Sequence, residues 1–155
     1  MNAAFIEQTG GPEVIQYGEL TDPRPEAGEV VIKVKAASVN PIDTYIRGGL
    51  VGMELPSPFI VGSDFSGKVE AVGEGVTQWK EDDRVWGANQ GGHGRQGTSA
   101  ELACVGQEWL HTIPEGIKEE DAAAVALVGI TAHIGLVLRA RVQEGETVFV
   151  NGGSG

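Results

Sequence analysis

The chain has 155 residues, 41% of them apolar, enough for one domain with a real core, or one domain plus the start of another, and too apolar for disorder. Its 11 basic residues against 22 acidic ones give a net charge of −11, a field that repels phosphate backbones and anionic membranes and argues against nucleic-acid binding as a primary role. Cys104 is the only cysteine, which excludes an internal disulfide.

The first hundred or so residues read as short strands punctuated by turns. The N-terminus lacks a basic region and a long apolar stretch, so it does not read as a signal peptide, and a cytoplasmic location is expected. Residues 3–7 and 14–19 are predicted strands on either side of the turn cluster Thr9-Gly10-Gly11-Pro12. Residues 21–28 are an irregular link. The clearest strand is 29–39, where Ile32, Val34 and Ala36 share one face and Lys33 and Lys35 the other. A short helix over 41–47 follows, with Asn40 as N-cap, Pro41 at the first helical position, Asp43 at the positive end of the dipole and Gly48-Gly49 as terminator. Asn40, Asp43 and Tyr45 thus crowd the start of one helix directly after a strand. Such groups are well placed to face a ligand; the same residues also suffice as cap and packing. Further strands are predicted at 66–72, 84–88 and 98–105.

From 118 to 139 the pattern turns helical, with Glu119, Glu120 and Asp121 in the first turn, Arg139 and Arg141 at the end, and Gly129 separating two helices. The uncharged run 122–138 approaches the roughly 17-residue minimum for a membrane span. Gly129, Thr131, His133 and Gly135 interrupt it, and a buried helical segment is the expectation, with no membrane association. A strand over 147–150 then meets the glycine cluster 152–155. Strand, tight glycine turn and helix N-terminus is how a dinucleotide-binding unit begins. The expected organisation is a first domain over 1–118 and, over 119–155, the start of a nucleotide-binding domain cut off at its glycine-rich loop; the ending alone fits equally a disordered glycine tail after a last strand.

Metal chemistry finds no support. His93, His111 and His133 pair at ligand spacing neither with one another nor with Cys104. Cys104, in an apolar strand, reads as a small core residue, and no Gly-x-Ser-x-Gly elbow suggests a serine hydrolase.

Residues 37–49, Ala-Ser-Val-Asn-Pro-Ile-Asp-Thr-Tyr-Ile-Arg-Gly-Gly, resemble the active-site segment of zinc-free NADPH:quinone oxidoreductases, the zeta-crystallin-like branch of the medium-chain dehydrogenase/reductase superfamily. Residues 61–73, Val-Gly-Ser-Asp-Phe-Ser-Gly-Lys-Val-Glu-Ala-Val-Gly, resemble the family's next landmark; 80–85 and 129–132 resemble two more. Gly152-Gly153-Ser154-Gly155 resembles its phosphate loop. The similarity runs in order along essentially the whole chain.

The resemblance implies a mainly β fold: a GroES-like, partly open β-barrel with short helices, leading into the first helix and strand of a truncated Rossmann α/β domain. It implies metal-free hydride transfer from NADPH to a quinone or conjugated carbonyl. Asn40 and Thr131 would orient the nicotinamide, Tyr45 would contact substrate or cofactor, Asp43 would fix the helix, and Gly152, Gly153, Ser154 and Gly155 would begin the phosphate site. Zinc-dependent relatives carry Cys, His and Cys where this chain has Asn40, Ser63 and Leu127, and a carboxamide, a hydroxyl and an alkyl group cannot replace two thiolates and an imidazole. His133 stands where many relatives have an aromatic residue. The isolated chain is expected to be inactive, and a homodimer is compatible with this reading. The alternatives are an enoyl or 2-alkenal reductase on the same scaffold, and a non-catalytic GroES-like binding module.

Overall fold

The computed structural model describes residues 1–153; Ser154 and Gly155, named above for the phosphate loop, lie outside the described residues. Two antiparallel sheets form the body. The smaller has the order β2-β1-β4, from β1 (Asn2–Ile6), β2 (Gln16–Glu19) and β4 (Phe59–Ile60). The larger has the order β7-β3-β5-β6-β8, from β3 (Glu29–Ala36), β5 (Phe65–Val72), β6 (Arg84–Gly87), β7 (Leu102–Gly106) and β8 (His111–Thr112). The sheets meet where Ala3 bridges Ala100, with Ala4 N–H donating to Ser99 O at 2.8 Å and Glu101 N–H to Asn2 O at 3.0 Å. The result is the partly open barrel that the sequence implies.

The core follows the alternation of the strands. Val30 and Ile32 of β3 pack with Phe65 and Val69 of β5, Val85 of β6 and Ala103 and Val105 of β7. Phe65 is fully buried, and Lys33 and Lys35 point to solvent. The β3–β5 register shifts twice, between Val31 and Ile32 and between Val34 and Ala36, the second close to where β3 turns toward the helix.

The helix α1 spans Pro41–Arg47, as expected. Seven residues cannot hold a helix unaided. A capping box between Asn40 and Asp43 closes its first turn, and Ile46 seats it on Ile6 and Phe59.

Several boundaries differ from the sequence expectation. The early strand over 14–19 splits into a 3-10 turn at Pro12–Val14 and β2. The strand expected at 98–105 is reduced to β7, because residues 98–101 give their hydrogen bonds to the loop 60–62 and to β1. The two-residue strands β4 and β8 carry too little sequence for a period-2 pattern to be seen.

The C-terminal part departs more. Gly129 does not divide two helices: α2 runs unbroken over Glu119–His133 and continues as a wider π turn over Ile134–Arg139. A single glycine costs a helix only about 1 kcal/mol, less than the surrounding Ala and Leu propensity supplies. Nor is the segment buried. Ala122, Ala123 and Ala126 contact the barrel, while Val125, Val128, Ile130, Leu136, Val137 and Leu138 are exposed. The helix is long and apolar enough to cross a membrane by length and composition. Residues 147–150 form no strand, and Phe149 is 89% exposed. A strand requires a partner to take its N–H and C=O groups, and none lies beside this run among the described residues.

Candidate active site

The loop from β3 into α1 and the turn into β5 bring two carboxylates and their donors together. Asn40, Asp43, Ser63 and Asp64 are all buried, an unusual concentration of polar groups for a small barrel. The backbone N–H of Asn40 donates to Asp43 Oδ2 at 2.7 Å, and the Ser63 hydroxyl donates to Asp43 Oδ1. Burial lifts the Asp43 carboxyl above its ordinary value, the negative charge of Asp64 adds to the rise, and the donors from Ser63 and Asn40 oppose it.

Asp64 is fully buried. Its Oδ2 accepts from the Ser38 hydroxyl at 2.9 Å, from Asn40 Nδ2 at 2.9 Å and from the Leu127 backbone N–H at 3.1 Å. Thr98 Oγ1 donates to its main-chain carbonyl at 2.7 Å. The turn that delivers Ser63 and Asp64 depends on Gly62, whose φ of +105° is open to glycine and strained for other residues. A side chain there would also run into Thr98 and Ser99.

The sequence-predicted residues divide into three groups. Asn40 and Asp43 lie at the centre of this network. Tyr45 is on the same helix, 49% exposed, with its ring toward solvent rather than core. Thr131 is exposed on α2, and its hydroxyl donates to Leu127 O at 3.0 Å. It is therefore joined to the network through Leu127, whose N–H reaches Asp64. Gly152 and Gly153 sit in a turn at the other end of the C-terminal segment, Gly152 with φ +71°, and take no part in the network. Asn40, Ser63 and the Leu127 backbone do converge here, on the Asp43–Asp64 pair.

Sequence reasoning missed Asp64 and Ser38. Both stood inside quoted motifs without a role. The available signal was an acidic residue between Ser63 and the core residue Phe65, a place where a carboxylate cannot stay hydrated.

A cavity of about 690 Å³ lies elsewhere and is lined by Met1, Leu20, Arg95 and Cys104 among others, with none of the predicted site residues. Burial and the nearby Glu29 carboxylate push the Cys104 thiol up to about 12, which disfavours the thiolate. Cys104 is not the core residue expected: it is half-buried on the cavity wall, while its β7 neighbours Ala103 and Val105 take the core positions, because successive side chains of a strand face opposite sides.

Residues 26–115 match the family model of the alcohol dehydrogenase GroES-like domain. The quinone oxidoreductase of Sus scrofa is 37% identical over 156 residues, covering all of this chain and 46% of that protein. Among solved structures, an alcohol dehydrogenase superfamily protein from Novosphingobium aromaticivorans superposes with a TM-score of 0.89 at 39% identity, over all of this chain and 47% of that one. A mycobacterial protein complexed with NADPH gives 0.88 at 38% identity, over all of this chain and 46% of that one. The chain spans about half the length of the curated relatives it matches.

Proposed function

Because the chain belongs to the alcohol dehydrogenase GroES-like domain family, we propose that it is the substrate-side portion of a metal-free oxidoreductase that uses NADPH to reduce a quinone or a conjugated carbonyl. The division of labour is 1–118 as catalytic domain and 119–155 as the start of the nucleotide-binding domain. The observation that carries this reading is the Asn40–Asp43–Asp64 network, a buried polar centre tied directly to the helix that leaves the barrel. The relatives named quinone oxidoreductase and the neighbour complexed with NADPH support the chemistry.

The donor inventory fits a nicotinamide. Asp64 takes one of the two Nδ2 protons of Asn40, and among the described residues the second meets no acceptor, so it is free for a carboxamide oxygen. Thr131 has spent its proton on Leu127 O and keeps lone pairs for a carboxamide N–H. One donor and one acceptor are the complement of a primary amide. When bound, the reduced nicotinamide supplies the hydride. Tyr45 donates a hydrogen bond to the substrate oxygen that gains negative charge. Its exposure lets water deliver the final proton, and no proton transfer falls to Asp43. The same inventory does not fit catalytic zinc: the three convergent positions offer a carboxamide, a hydroxyl and an alkyl group. Gly152, Gly153, Ser154 and Gly155 open the phosphate loop, whose helix N-terminus is needed to hold the pyrophosphate.

The test is oxidation of NADPH with a simple quinone, run for the 155-residue chain and for the same chain continued through a complete nucleotide-binding domain, with calorimetric NADPH titration of both. Turnover by the extended chain alone, unaffected by chelator, is expected. Tight NADPH binding and turnover by the 155 residues would overturn the division of labour. Reduction of enoyl substrates but not quinones would reassign the substrate. Stoichiometric zinc retained through purification would overturn the metal-free reading.

A further inference from the structure

We infer that Asp64 is a positioning residue, whose carboxylate sets the orientation of the Asn40 carboxamide and ties it to the turn of α2 that carries Thr131. The inference rests on the proposed roles of Asn40 and Thr131 toward the nicotinamide.

Three observations carry it. First, Asp64 Oδ2 accepts from the Leu127 backbone N–H, a group that can only donate, so this oxygen is an acceptor and faces the NH2 end of the Asn40 carboxamide. The flipped amide would set oxygen against oxygen in a buried site. The carbonyl end is thereby turned toward the first turn of α1, where Asn40 shares the capping box with Asp43. One Nδ2 proton, in one direction, is left to present.

Second, the same Oδ2 accepts from the Leu127 N–H, and the Leu127 carbonyl accepts from Thr131 Oγ1. Asn40, Asp64, Leu127 and Thr131 form a continuous line of hydrogen bonds from the barrel to α2. The donor and the acceptor proposed for the nicotinamide amide are held in register through one carboxylate.

Third, Asp64 is not part of a conventional ion pair. Its Oδ2 is met by three neutral donors, its Oδ1 has no partner, and among the described residues no Lys, Arg or His forms a salt bridge with it. A buried carboxylate with an orphaned oxygen is a poor device for stability, since each unmet buried polar atom is costly. Its benefit lies in which groups it orients.

Two variants separate positioning from scaffolding. Asp64→Asn keeps one oxygen for the three donors and places its NH2 where Oδ1 has no partner; Asp64→Ala removes the acceptor. On the 155-residue chain labelled with 15N, the Asn40 side-chain NH2 resonances, assigned with Asn40→Ser, report the orientation without any cofactor. They are expected to be dispersed and slow to exchange in the parent and in Asp64→Asn. In Asp64→Ala they move to free-amide positions with exchange faster by ~10-fold or more, the loss of one buried hydrogen bond. If Asp64→Ala does not fold, Asp64→Ser, which keeps a polar atom too short to span the site, gives the same readout.

In the chain extended through a nucleotide-binding domain, Asp64→Ala lowers kcat by ~10- to 100-fold, the scale of one misaligned contact to the reacting group. Asp64→Asn recovers most of it, and affinity for adenosine 2′,5′-bisphosphate, which lacks the nicotinamide, stays unchanged. Added to Asn40→Ala, the Asp64→Ala change has little further effect on kcat. An Asn40 amide that does not respond to Asp64→Ala, or fully additive losses, overturns the positioning role. A parent enzyme inactive with NADPH instead overturns the functional reading, and the amide resonances still report whether Asp64 orients Asn40.

Discussion

The barrel and the segment that leaves it are opposite in how they use apolar residues. In the barrel, strands of four to eight residues direct alternate side chains inward, and Val30, Ile32, Phe65, Val85 and Val105 are almost wholly removed from water. In α2 and the stretch after it, apolar residues are as dense, yet beyond Ala126 most remain exposed. The difference teaches that the first region satisfies its own packing requirement, whereas the second needs a surface supplied by something else. The polar network sits at the junction of the two, where Leu127 of the exposed helix reaches back to Asp64 of the barrel.

The contrast can be broken most forcefully at Phe65. Phe65→Ala should cost about 3–5 kcal/mol, because the hole opens in a core that cannot collapse around it. Phe149→Ala, the same truncation in the exposed segment, should stay within about 0.5 kcal/mol. Urea denaturation of both variants measures the difference; equal losses would mean that the C-terminal segment packs in solution.

The junction comes next. The Ser66 hydroxyl donates to Glu119 O at 2.6 Å, and Arg84 Nε meets Glu119 Oε1 at 2.9 Å. Ser66→Ala should cost about 1 kcal/mol and speed hydrogen exchange in the first turns of α2 while β3 and β5 stay protected. Uniformly faster exchange would show that α2 and the barrel unfold as one unit.

A smaller effect is expected from pH. Burial raises Asp43 above its ordinary 3.8, so the folded chain binds that proton more tightly than the unfolded chain does. The contribution of Asp43 to stability is therefore full below about pH 4 and declines as pH rises through the folded value. Asp43→Asn cannot ionise and should remove that decline. The wild-type Tm should thus lose ground to the variant's Tm upward from about pH 4; a constant difference would place the Asp43 carboxyl at its unfolded value.

The smallest effect belongs to Leu138, more than half exposed. Leu138→Lys should leave Tm unchanged within what about 0.5 kcal/mol allows, while reducing self-association in sedimentation. A large drop in Tm would reveal that this face is covered in solution.

Much of the molecule was legible from local signals. Asn40, Pro41, Asp43 and Gly48 define α1 to the residue, because capping chemistry is settled within one turn of chain. The alternation through Lys33 and Lys35 marks β3 for the same local reason. The family motifs place Asn40, Ser63 and Leu127 at related positions, but nothing in one dimension says that they meet. That Asp64 binds Ser38, Asn40 and Leu127 at once is decided only when β3, β5 and α2 come together, since the donors lie 24 to 63 residues away. The same reason governs the failures. Gly129 reads as a break in the sequence because propensity sees the residue and not the helix around it. Residues 147–150 have the composition of a strand, but a strand is a relation between two segments, and only the tertiary structure shows whether a partner is there.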